Sequence, residues 1–220
     1  HLISHNTDTS YRKLINDLLM INPALRVIGL TATPYRLGHG MITDEGGIFH
    51  DLIEPTSIEA LIADKYLATL RSKLTGTQLS VAGVHRRGGE FIEKELQAAV
   101  NKSHAIKDML LDVGIPAACI TGDTPKNERE RIIADFKSGR LRALTNANVL
   151  TTGFDYPDID LIAMLRPTMS AGLYVQMAGR GMRIKSNTDH CLVLDFAGVV
   201  QMHGPITNVK PPNKAGKGTG

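Results

Sequence analysis

The densest chemistry in the chain lies in the stretch Gln176-Met-Ala-Gly-Arg-Gly-Met-Arg183. If this stretch is helical, Gln176 and Arg180 stand four apart and Arg180 and Arg183 three apart, so all three project from one face. Two guanidinium groups side by side repel unless an anion sits between them. A triphosphate suits that place, because arginine offers a permanent charge and a fork of donors matched to phosphate oxygens. During phosphoryl transfer charge spreads over the equatorial oxygens, and an arginine reaching across an interface accelerates such reactions by about 10³ to 10⁵. The alternative is that both arginines pair with surface carboxylates, as exposed arginines commonly do. Gly179 and Gly181 weigh on the choice. Each costs a helix roughly 1 kcal/mol relative to alanine, which suggests a backbone that passes close to something.

The elements that must hold these groups follow from periodicity. From residue 103 the chain alternates: helix 103–112, strand 117–120, helix 126–138, strand 141–147, strand 159–165, helix 170–184 and strand 191–196. Alternation with apolar, β-branched strands predicts a parallel sheet covered by helices on both faces, with function at the carboxyl ends of the strands. Upstream, Leu14, Leu18 and Leu19 mark an amphipathic helix from Thr9 to Met20, with Thr9 or Ser10 as cap and Pro23 beyond its end. Arg26 to Leu30 reads as a short apolar strand running into Thr31-Ala32-Thr33-Pro34, and residues 35–47 as a glycine-rich loop. Residues 56–68 look helical, and 69–90 look like irregular strands ending in a turn at Arg87-Gly-Gly89. The tail from His203 is rich in Pro, Gly, Lys and Asn and is expected to be mobile or a linker. These breaks divide the chain into 1–55, a connector or insertion at 56–102, a main unit at 103–200 and a flexible tail at 201–220.

Composition narrows the possibilities. With 220 residues there is room for one sizeable core or two modest ones. The absence of Trp and an aromatic share of 5% make any base-stacking platform sparse. A net charge of +3 and a pI near 8.9 permit a polyanionic partner without requiring one. Cys119 and Cys191 sit in apolar runs far apart, which fits reduced buried thiols of an intracellular protein. The histidines lack paired ligand spacing, so no metal site is expected. No apolar run approaches the roughly 18 residues of a membrane span, and no secretory signal opens the chain, so a cytoplasmic protein without a membrane partner is expected. The chain opens at His1 inside what reads as a continuing element, as though cut from something longer.

Several segments now take on a common meaning. Gln176 to Arg183 resembles motif VI of superfamily-two helicases, Thr31-Ala32-Thr33-Pro34 resembles motif III, and Thr145 through Asp155, ending Thr-Thr-Gly-Phe-Asp, resembles motif V. Ile120-Thr-Gly-Asp123, followed by Glu128, Arg129 and Phe136, resembles the stretch between motifs IV and V. The wording Thr-Ala-Thr-Pro-Tyr-Arg-Leu-Gly and Val-Leu-Thr-Thr-Gly-Phe-Asp is similar to the RadD group of bacterial and phage DNA-repair helicases, over residues 1–55 and 103–197.

The resemblance implies an α/β fold of tandem RecA-like parallel sheets with helices on both faces, the first lobe only partly present. It implies an ATP-dependent helicase or translocase acting on DNA in repair or recombination, with RNA left open. ATP and Mg2+ would be bound mainly by the missing part of the first lobe. Arg180 and Arg183 would be arginine fingers, with Gln176 alongside. Gly153, Asp155 and Gly179 would line the nucleotide cleft or brace the fingers, and His1 would close an Asp-Glu-x-His motif. Thr31, Ala32 and Thr33 would relay nucleotide state between lobes, and Thr121, Gly122, Thr145 and Asn146 would meet nucleic-acid phosphates. Two plainer readings stay open: Asp155 as a turn cap before Tyr156-Pro157, and the two threonines as turn caps after a strand.

The sequence also departs from the family. It contains no Gly-x-x-x-x-Gly-Lys-Ser/Thr loop and no magnesium-holding carboxylates, so this stretch alone should bind ATP poorly and not hydrolyse it. An apolar first strand is expected just before residue 103, yet Val100-Asn-Lys-Ser103 joins two helix-like segments; an omitted segment is the favoured explanation over a differently built lobe. Ala147 and Asn148 stand where many relatives place a phosphate-binding threonine. Rival functions are a motor subunit of a restriction or nuclease system and a non-catalytic nucleic-acid-binding scaffold.

Overall fold

The computed structural model describes residues 9–31, 33–36, 40–54, 56–76, 86–87, 90–91, 94–147, 149–151 and 154–209. Helix α1 spans Ser10–Ile21 and keeps its apolar stripe exposed, with no residue buried. The strand expected at Arg26 to Leu30 does not form: Ile28 and Leu30 are 86% and 97% exposed. The physical reason is that such a strand needs neighbours to satisfy its amides and cover its side chains, and none of the described residues pairs with it. Beyond it, Tyr35–Arg36 (β1) and Gly40–Met41 (β2) make a two-residue antiparallel ladder inside the stretch read as a loop.

Helix α2, Ile58–Ala63, starts at Ser57, whose hydroxyl accepts the Ala60 amide at 3.1 Å. Strand β3, Thr69–Leu74, pairs in parallel with a late strand, β9, His190–Asp195, from Thr69 opposite His190 to Leu74 opposite Asp195. It lies in the stretch read from sequence as a connector, yet it is a full member of the sheet that carries β9. Arg86–Arg87 (β4) and Glu90–Phe91 (β5) form a short ladder on either side of the expected glycine turn.

Helix α3 runs unbroken over Lys94–Asp112, through the place where a strand is expected before residue 103. It packs on a parallel pair, β6 (Ala117–Ile120) and β7 (Ala143–Asn146), joined by α4, Lys126–Lys137. Glu128 in the first turn of α4 and Lys137 in the last match the helix dipole, and Ile132 is buried. Strand β8, Leu161–Met164, lies parallel to β9 on its other side, giving the order β3-β9-β8. All pairs in these two sheets are parallel, the α/β architecture expected from the alternating pattern.

Helix α5, Ala171–Gly179, covers this sheet, and α6, Val199–His203, packs beside it. Met164, Tyr174, Ala178, Met182, Val193, Val199 and Ile206 form the main core. The buried Asp195 carboxylate accepts the amides of Ala197, Val199 and Val200 at 2.8–3.1 Å and so caps α6, with Gly198 supplying the left-handed φ of 69° between them. The flexible tail expected over residues 201–220 is therefore corrected for residues 201–209. Through residue 209 the chain is packed: His203 stacks on Tyr174 with ring centroids 5.6 Å apart, and Ile206 is in the core. Apolar residues in that stretch outweigh the loop-forming composition around them.

Candidate nucleotide-facing arginine turn

Helix α5 starts at Ser170, whose hydroxyl accepts the Leu173 amide at 3.2 Å. It stops at Gly179; Arg180–Met182 form one 3₁₀ turn, and Arg183 is extended with ψ 146°. The single helical face expected for Gln176, Arg180 and Arg183 is thus corrected. Gln176 stands exposed on α5, while the arginines project from a turn and from the extended chain after it.

Gly181 explains why the helix tightens there. A Cβ on it would lie 2.6 Å from Cys191 Sγ, 3.0 Å from Cys191 Cβ and 3.1 Å from Ile162 Cδ1. The backbone therefore rests on β8 and β9 at a spacing that glycine permits. Gly179 is different, since a Cβ there would meet nothing within 4 Å. Met182, next along, is buried in the core. Fully burying a side chain of that size stabilises by about 1.5–3 kcal/mol, more than any exposed ion pair nearby, so the apolar floor sets the path of the turn.

Both arginines reach the loop before β8. Arg180 Nη1 donates to the Phe154 carbonyl, and Arg183 Nε lies 3.1 Å from Asp155 Oδ1. Desolvation pushes the Arg180 guanidinium below its ordinary pKa, repulsion from Arg183 adds to this, and Asp155 offsets part of it. Arg180 and Arg183 thus lie close enough to act on each other's charge, with the Asp155 carboxylate beside both. The alternative of pairing with an acid holds for Arg183, but the partners' side chains are 40% and 70% exposed. A pair that wet contributes about 0–1 kcal/mol and yields readily to a polyphosphate. Asp155 is therefore paired with Arg183. The carboxylate that organises the following turn is Asp158, which accepts the Ser186 amide at 2.7 Å and hydroxyl at 3.0 Å.

The other sequence candidates are scattered around this centre. Thr31 Oγ1 accepts the Thr33 amide at 3.0 Å, a local turn, and Thr33 sits against the start of α5, its Cβ 3.7 Å from where a Gly172 Cβ would be. Thr121 is buried and its amide is bound by Thr124 Oγ1 at 2.9 Å, while Gly122 beside it is exposed and unobstructed. Thr145 is buried with its hydroxyl donating to Ser103 O at 2.8 Å, and Asn146 Oδ1 accepts the Leu150 amide at 3.3 Å. The last two side chains are thus committed to the fold, which leaves Gly122 as the open position of the four. His1, Ala32 and Gly153 lie outside the described residues. No group of three or more metal-ligating side chains occurs among the described residues, and no described helix is long and apolar enough to cross a membrane.

Sequence reasoning missed two supports of the turn. Lys185 donates to the carbonyls of Gly181 and Arg183, and Phe136 on α4 packs on Phe154 and Tyr156 at ring-centroid distances of 6.3 and 5.4 Å. The third basic residue within the run Arg180 to Lys185 was the available signal for the first. Nothing local marks the second, because Phe136 and Phe154 meet only through the packing of the domain.

Comparison with known proteins bears on the same residues. The helicase conserved C-terminal domain matches residues 92–185. Over 117 residues the chain is 38% identical to the candidate ATP-dependent helicase IRC3 of Saccharomyces cerevisiae, which covers 52% of this chain and 17% of that protein. Over 165 residues it is 28% identical to the UvrABC system protein B of Chlamydia muridarum, covering 72% of this chain and 23% of that protein. It thus spans a minor part of the length of these curated relatives. The solved C-terminal domain of the DEAD-box protein Dbp5 aligns with a TM-score of 0.41 at 16% identity, covering 67% of this chain and 74% of that one. Both arginines, the loop that holds them and strands β6 to β8 fall inside the matched stretch, so residues 92–185 carry a helicase conserved C-terminal domain.

Proposed function

We propose that the chain supplies the second lobe of an ATP-driven motor that moves along DNA in repair or recombination, with Arg180 and Arg183 completing a nucleotide site on a first lobe. The observation that supports this reading is the partly desolvated Arg180 held beside Arg183, whose carboxylate partner Asp155 is exposed. In the reaction, negative charge on the terminal phosphoryl oxygens would be met by these two guanidiniums, already oriented by Phe154 and Asp155, so little reorganisation is needed as the charge develops. Closure of the lobes around ATP and their reopening after hydrolysis would move the strand bound near Gly122. Magnesium belongs to the first lobe in this reading, and no step of these residues runs through it. The chain by itself is expected to be inactive.

The test uses the complete protein with both lobes. Arg180→Ala and Arg183→Ala should each lower DNA-stimulated ATP turnover by about 10³-fold, the low end for arginine fingers. Turnover within a few-fold of the unsubstituted protein in both variants would overturn the assignment. Parallel titrations with single-stranded DNA and RNA oligonucleotides separate the DNA reading from an RNA motor.

A further inference from the structure

A 3₁₀ turn ends with carbonyls that its own backbone does not bond: here the Ala68 amide donates to Met182 O at 2.7 Å, and the carbonyls of Gly181 and Arg183 face Lys185. Lys185 Nζ lies 2.6 Å from Gly181 O and 2.9 Å from Arg183 O. One ammonium therefore ties the Gly181–Met182 peptide unit to the Arg183–Ile184 unit, bracketing the segment from which Arg183 departs. From below, Gly181 is held on Cys191 and Ile162 with no space to sink. The turn is pinched between a rigid sheet and a cation above it.

We propose that Lys185 is a positioning residue for the arginine turn: by hydrogen-bonding the Gly181 and Arg183 carbonyls, it fixes the direction in which Arg183 reaches nucleotide. This rests on the reading of Arg180 and Arg183 as the groups that face the terminal phosphate. An ordinary surface lysine keeps its head in water. Lys185 is half-buried, and desolvation pushes its pKa below the usual lysine value. Its two hydrogen bonds go to backbone carbonyls; of the two carboxylates whose charge reaches it, Asp158 and Asp160, the first is engaged by Ser186. The arrangement is geometric, the ammonium acting as a staple whose charge also crowds the site toward an anion.

The test again uses the complete two-lobe protein and rests on Lys185→Met, which keeps the aliphatic stem and removes the donors, with Lys185→Arg as the conservative partner. Displacing a reacting group by about 1 Å costs on the order of 10²-fold, so Lys185→Met should lower kcat of DNA-stimulated ATP hydrolysis by about 10- to 100-fold. KM for ATP should stay within about twofold, since uniform binding is untouched, and Lys185→Arg should restore most of kcat. In an Arg183→Ala background the same Lys185→Met change should cost less than about twofold more, because the group it positions is gone. Unchanged kcat in Lys185→Met, alongside collapsed turnover in the arginine variants, overturns this inference and leaves the motor reading standing. Loss of the cooperative thermal transition in both lysine variants also overturns it, because the lysine would then be holding the domain together. Intact turnover in both arginine variants sinks the motor reading first, and the inference with it.

Discussion

Gly181 and Gly179 flank the same arginine and meet different surroundings. At Gly181 an added methyl would push into Cys191 and Ile162, and overpacking of that kind costs about 1–3 kcal/mol. Gly181→Ala should therefore lower stability by that amount in urea unfolding, and Cys191→Ala in the same background should return part of the loss. Gly179 has helical angles, φ −58° and ψ −21°, and open space around it. Gly179→Ala should leave stability unchanged or raise it by about 0.4–1 kcal/mol, through a less free unfolded chain. Equal losses at both positions would show that the close approach of the turn to β9 is not what glycine serves there. In the sequence the two glycines look alike. Only the distance to a strand ten residues further along separates them.

At the scale of elements, the loop before β8 and the arginine turn are laced side by side: Phe154 to Arg180, Asp155 to Arg183, and Asp158 to Ser186. Backbone and side-chain hydrogen bonds from Ser186 hold the Asp158 carboxyl below its usual pKa, with Lys185 contributing through charge. A carboxyl whose folded pKa is depressed stabilises the fold above its unfolded value of about 4, and the contribution vanishes as pH falls through the lower folded value. Unfolding free energy measured against pH should thus decline on the acid side of pH 4. Asp158→Asn should flatten that decline without altering the neutral plateau's slope, and an unchanged acid limb would rule the clasp out as its source. Strand β6 sits where its apolar run predicts, and α4 differs by one residue at its end, because both are set by local pattern. The helix expected over 170–184 stops at Gly179, because the chain after it must rest on Cys191 and Ile162, a demand that no window of local sequence contains.

For the molecule as a whole, residues 9–31 carry apolar surface that none of the described residues covers, with Ile28 and Leu30 exposed and the stripe of α1 open. Contiguous apolar surface of this kind drives association. The isolated chain should self-associate at micromolar concentration in light scattering, and Ile28→Lys combined with Leu30→Lys should reduce this while leaving the thermal transition in place, since neither residue belongs to the main core. A monodisperse unsubstituted chain would contradict the expectation. By itself the sequence determined the parallel α/β class and the strands from residue 117 onward, because period and β-branching are properties of short windows. The tertiary structure decided that β3 joins the sheet of β9, that the Arg26 to Leu30 strand does not form, that residues 201–209 pack, and that Arg180 and Arg183 leave a turn instead of one helical face. Each of those outcomes depends on which distant residues are available to pair with or to rest upon.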